Sequence, residues 1–388
     1  MSIKVCGLGV VSAIGVGCKE NRDSLLSEVC GIDSLTLFES EVDSPVGEVK
    51  LSNTELKIRL GIELQKSVSR TAMLGVLAAR EAVADAEIDS SKRIALISAT
   101  SVGGMDLSEE FYRDYIDNPS KGRLRDVVGH DCAASTNLIA ETCGITGFRT
   151  TISTACSSAA NAIIMGAQML ECDMADYVVV GGCDALCRFT YNGFNSLMIL
   201  DSELCRPMDS SRKGLNLGEG AGYIVITKEE SCKRRYCELV GYANANDAYH
   251  QTASSEDGNG AYLAMSSALK MSGLGNVDYI NLHGTGTPNN DSSELAAIVR
   301  LFGDNPPQCS STKSATGHTL AASGGVEAVF SVLALTEKRV WANLRFNSAI
   351  EPYAIEPIKQ VVKCDNLRCV MTNSFGFGGN CSSLIFAV

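Results

Sequence analysis

The chain has 388 residues, 45% of them hydrophobic and 20% charged, with 36 glycines, enough for two ordinary domains or one large layered unit with a substantial core. Its formal charge of −12, from 33 basic and 45 acidic residues with no long basic run, argues against nucleic-acid binding. No run of about 18 apolar residues stands out and Met1-Ser-Ile-Lys-Val leads straight into a strand pattern, so a soluble, unexported, cytoplasmic protein with no membrane association is expected.

In chain order, Ile3-Lys-Val-Cys-Gly-Leu-Gly-Val-Val reads as a strand running into glycines. Ser12 stands where the third glycine of a dinucleotide-binding loop belongs, which rejects a nicotinamide site. Helical periodicity covers 21–29 and 67–88; Arg93-Ile-Ala-Leu-Ile-Ser-Ala-Thr predicts a buried strand, and 105–117 a helix stopping before Asn118-Pro119. A β-rich run ends at Thr154 and a run of small and aliphatic residues begins after Cys156, placing that cysteine on a strand-to-helix turn. Asp176-Tyr-Val-Val-Val-Gly-Gly and Ala221-Gly-Tyr-Ile-Val-Ile predict further strands, separated by a loop-like stretch at 201–222. The polar segment Lys228-Glu-Glu-Ser-Cys-Lys-Arg-Arg is the expected join between an N-terminal half, 1–230, and a C-terminal half, 231–388. The second half repeats the theme, with strands at 277–282, near 309, at 368–373 and at 383–387, and helices at 289–302 and 323–338. This alternation implies an α/β protein with largely parallel sheets covered by helices on both faces.

Sixteen cysteines are scattered without any Cys-x-x-Cys pair, and only four histidines are present, so no metal site is expected. The cysteines fit a reducing cytoplasm. Cys156 is either a small core residue, the usual fate of a free cysteine, or a nucleophile. In its favour, the start of a helix offers unpaired N–H groups and the positive end of the macrodipole, both of which favour thiolate.

Three further segments place polar or glycine-rich chemistry directly after a strand, where open α/β sheets meet their ligands. They are Asn281-Leu-His283-Gly-Thr285-Gly-Thr287-Pro288, Lys313-Ser-Ala-Thr-Gly-His318 running on to Glu327, and Thr372-Asn373-Ser-Phe375-Gly376-Phe377-Gly-Gly379-Asn380. Singly each has a bland reading: a structural histidine, a tight turn, or a solvated Lys313–Glu327 pair worth little. Together they supply a nucleophile, two imidazoles, a cation, a carboxylate and a glycine-lined wall, a full set for acyl transfer.

These motifs, over essentially the whole chain, resemble the condensing β-ketoacyl-acyl carrier protein synthases of the elongating Cys-His-His type. Asp184 after Gly181-Gly182, Arg206-Pro-Met-Asp and Leu217-Gly-Glu-Gly-Ala-Gly carry the same likeness. The resemblance implies a thiolase-like, five-layered αβαβα fold of two similar halves, each with a five-stranded sheet. It implies a dimer, either of identical chains or with a chain-length-factor-like subunit. Substrates would arrive on the phosphopantetheine of an acyl carrier protein, with no metal or diffusible cofactor. By the same resemblance Cys156 takes the acyl chain, His283 and His318 donate hydrogen bonds to the malonyl thioester as carbon dioxide leaves, and Lys313 and Glu327 hold the second histidine. The N–H groups of Cys156 and Phe377 form an oxyanion hole, with Phe377 also a gate, and Thr252, Thr285, Thr287, Phe375 and Gly376 meet substrate. Arg206, Arg212 and Lys213 would dock the acidic carrier, while Lys66 and Arg70, on a predicted helix, are better read as ordinary solvated charges.

Two departures stand out. The family's common Gly-Gly-Thr-Asn ending is Gly378-Gly379-Asn380-Cys381 here, and Ser108 stands where a bulky apolar residue against the acyl tail is expected, which would deepen the pocket. A biosynthetic thiolase, with Cys381 as its second cysteine, fits the Cys-His-His set less well. A non-catalytic chain-length partner would lack Cys156.

Overall fold

β-Branched and small residues dominate the strand-forming runs, and both faces of the central ones, such as Ile3–Ser12, Tyr177–Asp184 and Gly220–Thr227, are buried. In Ile3–Ser12 a bulge between Val5 and Gly7 changes the side-chain parity, so that Ile3 and Val5 before it share an apolar cluster with Leu8 and Val10 after it. Cys6 and Val11 enter a second cluster. The computed structural model describes residues 2–89, 91–230 and 232–388. Among them, eleven strands form one sheet, ten of them in a continuous path. In chain order the ten are β1 (Ile3–Ser12), β2 (Ile94–Ala99), β3 (Arg149–Ile152), β4 (Tyr177–Asp184), β5 (Gly220–Thr227), β6 (Cys237–Asn246), β7 (Tyr279–Asn281), β8 (Gln308–Ser310), β9 (Cys369–Gly376) and β10 (Asn380–Ala387). The short strand Gly15–Val16 pairs off this path with the end of β1.

The path runs β8-β7-β9-β10-β6-β1-β5-β4-β2-β3, so the order 3-2-4-5-1 recurs five strands later as 8-7-9-10-6. The pairing sense recurs too. β1/β5 and β4/β5 are antiparallel while β2/β4 and β2/β3 are parallel; β6/β10 and β9/β10 are antiparallel while β7/β9 and β7/β8 are parallel. The sheets are therefore mixed, not largely parallel as the alternation of elements suggested. In the second half the reason is local: Gly376 pairs with Asn380, so the chain turns straight back and β10 must run against β9. The two halves meet where Ile3–Val5 of β1 pairs with Cys237–Leu239 of β6. β6 escaped the sequence reading, as did the helices Cys132–Cys143 and Asn259–Ser272.

Three apolar clusters give the layers. Helices Arg70–Ala86 and Cys132–Cys143 cover the outer face of the first half-sheet, through Met73, Leu74, Ile139 and Val179. Helices Asn259–Ser272 and Pro288–Phe302 cover the outer face of the second, through Met265, Leu295, Ile280 and Met371. Between the two half-sheets lie Ser158–Glu171 and Ser323–Glu337, packed on Val178 and Ile224 on one side and Val370 and Leu384 on the other. The result is the five-layered, thiolase-like arrangement expected from the resemblance. Residues 323–335 are all buried. Among the described residues one helical stretch, Leu320–Glu337, is long and apolar enough by length and composition to cross a membrane, although Glu327 and Glu337 interrupt its apolar run. It is 89% buried inside the protein, as a central core helix must be.

Candidate active site

The nucleophile turn is built by backbone strain and close approach. Ala155 holds φ +52, a left-handed conformation rare without glycine. The turn is closed by Ser158 N–H to the Ala155 carbonyl (3.1 Å) and Thr154 N–H to Ser158 Oγ (2.7 Å). Cys156 lies just outside the helix Ser158–Glu171, one residue before its cap Ser157. Opposite it, a Cβ on Gly376 would come within 2.9 Å of the Thr154 carbonyl and 3.1 Å of the Cys156 nitrogen, so only glycine lets β9 approach this turn.

Cys156, His283 and His318 come together, with Sγ and one nitrogen from each ring all within 4.8 Å of one another. The two imidazoles meet edge to face, centroids 5.4 Å apart, and His283 lies edge to face against Phe375 at 5.8 Å. All three side chains are buried but open on a cavity of about 310 Å³. Thr252, Thr285, Thr287, Phe375, Gly376 and Phe377 also line it.

His318 is held through Nδ1, which accepts from the Leu320 N–H (3.1 Å) and sits 3.0 Å from Ser323 Oγ. A backbone N–H can only donate, so Nδ1 carries the lone pair and the neutral ring bears its proton on Nε2. Leu320 is itself strained, at φ +54. Burial first, then the Lys313 charge, push both imidazoles well below their ordinary pKa, His283 also feeling His318. Both rings are therefore neutral at pH 7. His283 Nδ1 is buried without a partner among the described residues.

Lys313 and Glu327 form a buried ion pair with side-chain exposures of only 2% and 3%, not a solvated one. No bond joins Lys313 to His318, so the lysine acts on the ring by charge and the ring is oriented by Leu320 and Ser323. Burial raises the Glu327 carboxyl to about 7 against the lowering pull of Lys313. The Cys156 thiol departs from expectation. Burial pushes it up to about 11, although Lys313 and the N–H groups of Phe377 and Cys156 pull the other way. The sulfur has lost more water than the turn gives back, so the free chain holds a thiol, not a thiolate.

Several carboxylates that sequence reasoning passed over hold these loops. Glu294 accepts from the N–H groups of His283 (2.9 Å) and Gly284 (2.8 Å) and from Asn373 (3.0 Å). Asp291 accepts from the N–H groups of Gly286 (3.1 Å) and Met208 (2.8 Å). Asp184 ties Thr100 and Ser101 to the Ala321 N–H beside His318 (2.9 Å). The helical spacing of Pro288–Phe302, which aims Asp291 and Glu294 back at the preceding loop, was the available signal. Phe194, also unforeseen, stacks on Phe377 with centroids 5.8 Å apart.

Other predicted residues fall elsewhere. Ser108 is absent from the cavity wall; its hydroxyl bonds His130 Nδ1 (2.8 Å), so it does not deepen this cavity. Arg212 is no docking residue. Its guanidinium is turned inward onto the Pro288 carbonyl (2.8 Å) and Ser292 Oγ (2.7 Å), with Asp291 3.8 Å away. Arg206 is half-buried and paired with Glu203, leaving Lys213, 61% exposed, as the accessible charge of the three. Arg70 is not solvated either: it is buried against Glu219 (2.6 Å), and Lys66 lies exposed in the loop before its helix.

The five layers and the buried thiol with two imidazoles define a condensing enzyme of thiolase-like build. The sequence models of the β-ketoacyl synthase N-terminal and C-terminal domains match residues 1–231 and 236–347. The chain is 31% identical over 408 residues to a 3-oxoacyl-[acyl-carrier-protein] synthase 2 of Staphylococcus aureus, covering 99% of this chain and 97% of that one. It is 30% identical over 409 residues to the enzyme of the same description from Vibrio cholerae, covering 99% and 98%. Among solved structures it is similar to the ishigamide ketosynthase/chain length factor, with TM-score 0.93 and 28% identity, covering 100% and 99% of the two chains. The ketosynthase ApeO in complex with its chain length factor ApeC from Xenorhabdus doucetiae gives 0.87 and 31%, covering 100% and 98%. The chain belongs to the β-ketoacyl synthase family.

Proposed function

We propose that this chain performs the decarboxylative Claisen condensation of an acyl group held on Cys156 with malonyl-acyl carrier protein, giving β-ketoacyl-carrier and carbon dioxide, in fatty-acid, polyketide or polyene synthesis. The observation that carries it is the meeting of Cys156 Sγ with both ring nitrogens within 4.8 Å, in a cavity also lined by Thr285 and Thr287.

In the first half-reaction the Cys156 sulfur attacks the acyl thioester, and the Phe377 and Cys156 N–H groups, which pull the thiol down against its burial, receive the oxyanion. The raised thiol means that the proton leaves as the carrier's thiol departs, without a resident thiolate. In the second, malonyl carboxylate is lost and an enolate forms on the thioester. Neutral imidazoles with N–H donors aimed at its oxygen stabilise charge that exists only in the transition state and beyond. The Nε2–H of His318 has the required proton, and burial together with the Lys313 charge keeps both rings neutral. The enolate carbon then attacks the acyl-cysteine carbonyl, the C–S bond to Cys156 breaks, and the freed sulfur takes up one proton from solvent to restore the thiol. Nothing in this sequence calls for a metal or diffusible cofactor. Thr252, Thr285, Thr287, Phe375 and Gly376 take the pantetheine arm, and Phe377 with Phe194 closes the acyl side.

The partners are an acyl carrier protein, with Lys213 and the paired Arg206 near the docking path, and a second subunit. A heterodimer with a chain-length-factor-like chain is favoured by the two solved relatives bearing that description. The helix Met105–Asp117 buries none of its residues, and Tyr112 and Ile116 are 63% and 64% exposed, which suits a face covered by another chain. The matching strand orders support the division at 230/231, and a cytoplasmic location accords with free cysteines throughout. Intact-mass analysis of the chain with acyl-carrier tests the reading: an adduct on the Cys156 peptide supports it, and acylation elsewhere or none overturns it.

A further inference from the structure

We propose that Asn380 is a positioning residue for the nucleophile, an inference that rests on the condensing reading above. The turn bearing Cys156 is poorly held by its own helix, since the cap Ser157 makes no side-chain cap bond. Its hydroxyl lies instead 2.8 Å from Asn380 Oδ1 and 2.8 Å from the Thr154 carbonyl. One turn on, Asn161 Nδ2 donates to Asn380 Oδ1 (2.8 Å) and to Thr154 Oγ1 (2.8 Å). From the other half, Asn244 Nδ2 on β6 reaches the same oxygen at 2.7 Å. Asn161 Oδ1 closes the network by accepting from Asn244 (2.9 Å) and Ser382 (2.8 Å). One carbonyl oxygen thus gathers donors from both sides of the strained turn and from both halves of the molecule.

The place of Asn380 in the chain gives the network its leverage. It begins β10 directly after Phe377–Gly379, and Gly378 and Gly379 take φ +81 and +77, so that short turn is free to move unless its ends are fixed. Asn380 fixes one end to the residues flanking Cys156. It thereby sets the distance from Sγ to the Phe377 N–H. Strand alternation sends the next side chain, Cys381, to the opposite face, into the cavity. An amide or carboxylate oxygen at 380 is the acceptor these donors share; an aliphatic group removes it and leaves Ser157, Asn161 and Asn244 only their separate bonds to the Thr154 carbonyl, Thr154 Oγ1 and Asn161 Oδ1, which no longer tie the turn to β10.

The test separates positioning from plain structural support. Acylation of Cys156 by acyl-carrier is followed by intact mass, and alkylation by iodoacetamide is followed against pH. Loss of carbon dioxide from malonyl-carrier is measured in a Cys156→Ala background. Asn380→Ala is expected to slow acylation at least about tenfold and to move the alkylation midpoint to higher pH, because Sγ loses the Phe377 N–H. Decarboxylation, which depends on His283 and His318, stays within about twofold. Asn380→Asp, which keeps the acceptor, restores acylation to within about threefold at matched thiolate fraction. Should the Ala variant not fold, Asn244→Ala removes one donor to the same oxygen and is expected to slow acylation about threefold. Unchanged acylation, a parallel fall in both half-reactions, or no recovery with Asp would overturn the proposal. Absence of Cys156 acylation in the unsubstituted chain would overturn the condensing reading itself, and is distinguished by appearing before any substitution at 380.

Discussion

Replacing His318 by Ala divides the two half-reactions. The ring is buried, neutral and fixed as the Nε2–H tautomer by the Leu320 N–H, so it enters the reaction as one preorganised donor in a site shielded from water. Loss of one such donor costs about 10²–10³ in rate, or about 2.7–4 kcal/mol. That full penalty should fall on carbon dioxide release and on condensation. Acyl transfer to Cys156 should persist, because the Phe377 and Cys156 N–H groups can receive the acyl oxyanion without either imidazole. Ser323→Ala is the graded control. It removes one contact to Nδ1 but leaves the Leu320 N–H, so the tautomer survives and decarboxylation should fall only about 2–10-fold, the worth of one ordinary hydrogen bond. Labelled carbon dioxide from malonyl-carrier reports the second step and intact mass the first. If His318→Ala abolished acylation and spared decarboxylation, the histidine would be the base for Cys156 and the division drawn here would be wrong.

Further expectations follow from the buried charges. With its thiol near 11, Cys156 should be alkylated about tenfold faster for each pH unit between 7 and 9, whereas a plateau by pH 8 would show a resident thiolate. Lys313→Met removes the charge that lowers both imidazoles, so they should protonate at higher pH and the acid limb of the decarboxylation profile should shift to alkaline; an unmoved limb refutes the electrostatic role. Arg70→Met leaves Glu219 buried without its cation and should cost about 3–5 kcal/mol in denaturant unfolding, while a loss below about 1 kcal/mol would return Arg70 to the solvated class. Lys213→Glu should raise the KM for acyl-carrier and weaken its salt dependence without loss of stability; a KM indifferent to the reversal removes Lys213 from the docking path.

What the sequence disclosed and what it withheld divide along a physical line. Cys156, His283, Lys313, His318 and Phe377 were legible because each follows an apolar strand within a short motif, and the ends of strands are where such chemistry collects. Helices with long alanine-rich faces, such as Arg70–Ala86, were found within three residues at either end. β6 was missed because Cys237–Asn246 ends in alternating Ala and Asn, whose partners lie on β10, about 140 residues away. Arg70, Arg212 and Glu294 were misread or passed over for a related reason. Whether a charge is solvated or buried against a counter-charge depends on pairs far apart in sequence, such as Arg70 with Glu219. The Cys156 thiol shows the same limit: its helix start was readable, but the burial that dominates it was not.

The central claim is that Cys156 carries the acyl group while the two histidines serve the loss of carbon dioxide. Its most direct test supplies the chain with acyl-carrier and malonyl-carrier and follows, by intact mass and labelled carbon dioxide, the Cys156 adduct, the gas and the product together. The account predicts a transient adduct on Cys156, one carbon dioxide per turnover and a β-ketoacyl-carrier longer by two carbons, all lost in Cys156→Ala except residual decarboxylation. Condensation that continues without Cys156, or a product formed without release of carbon dioxide, would contradict it.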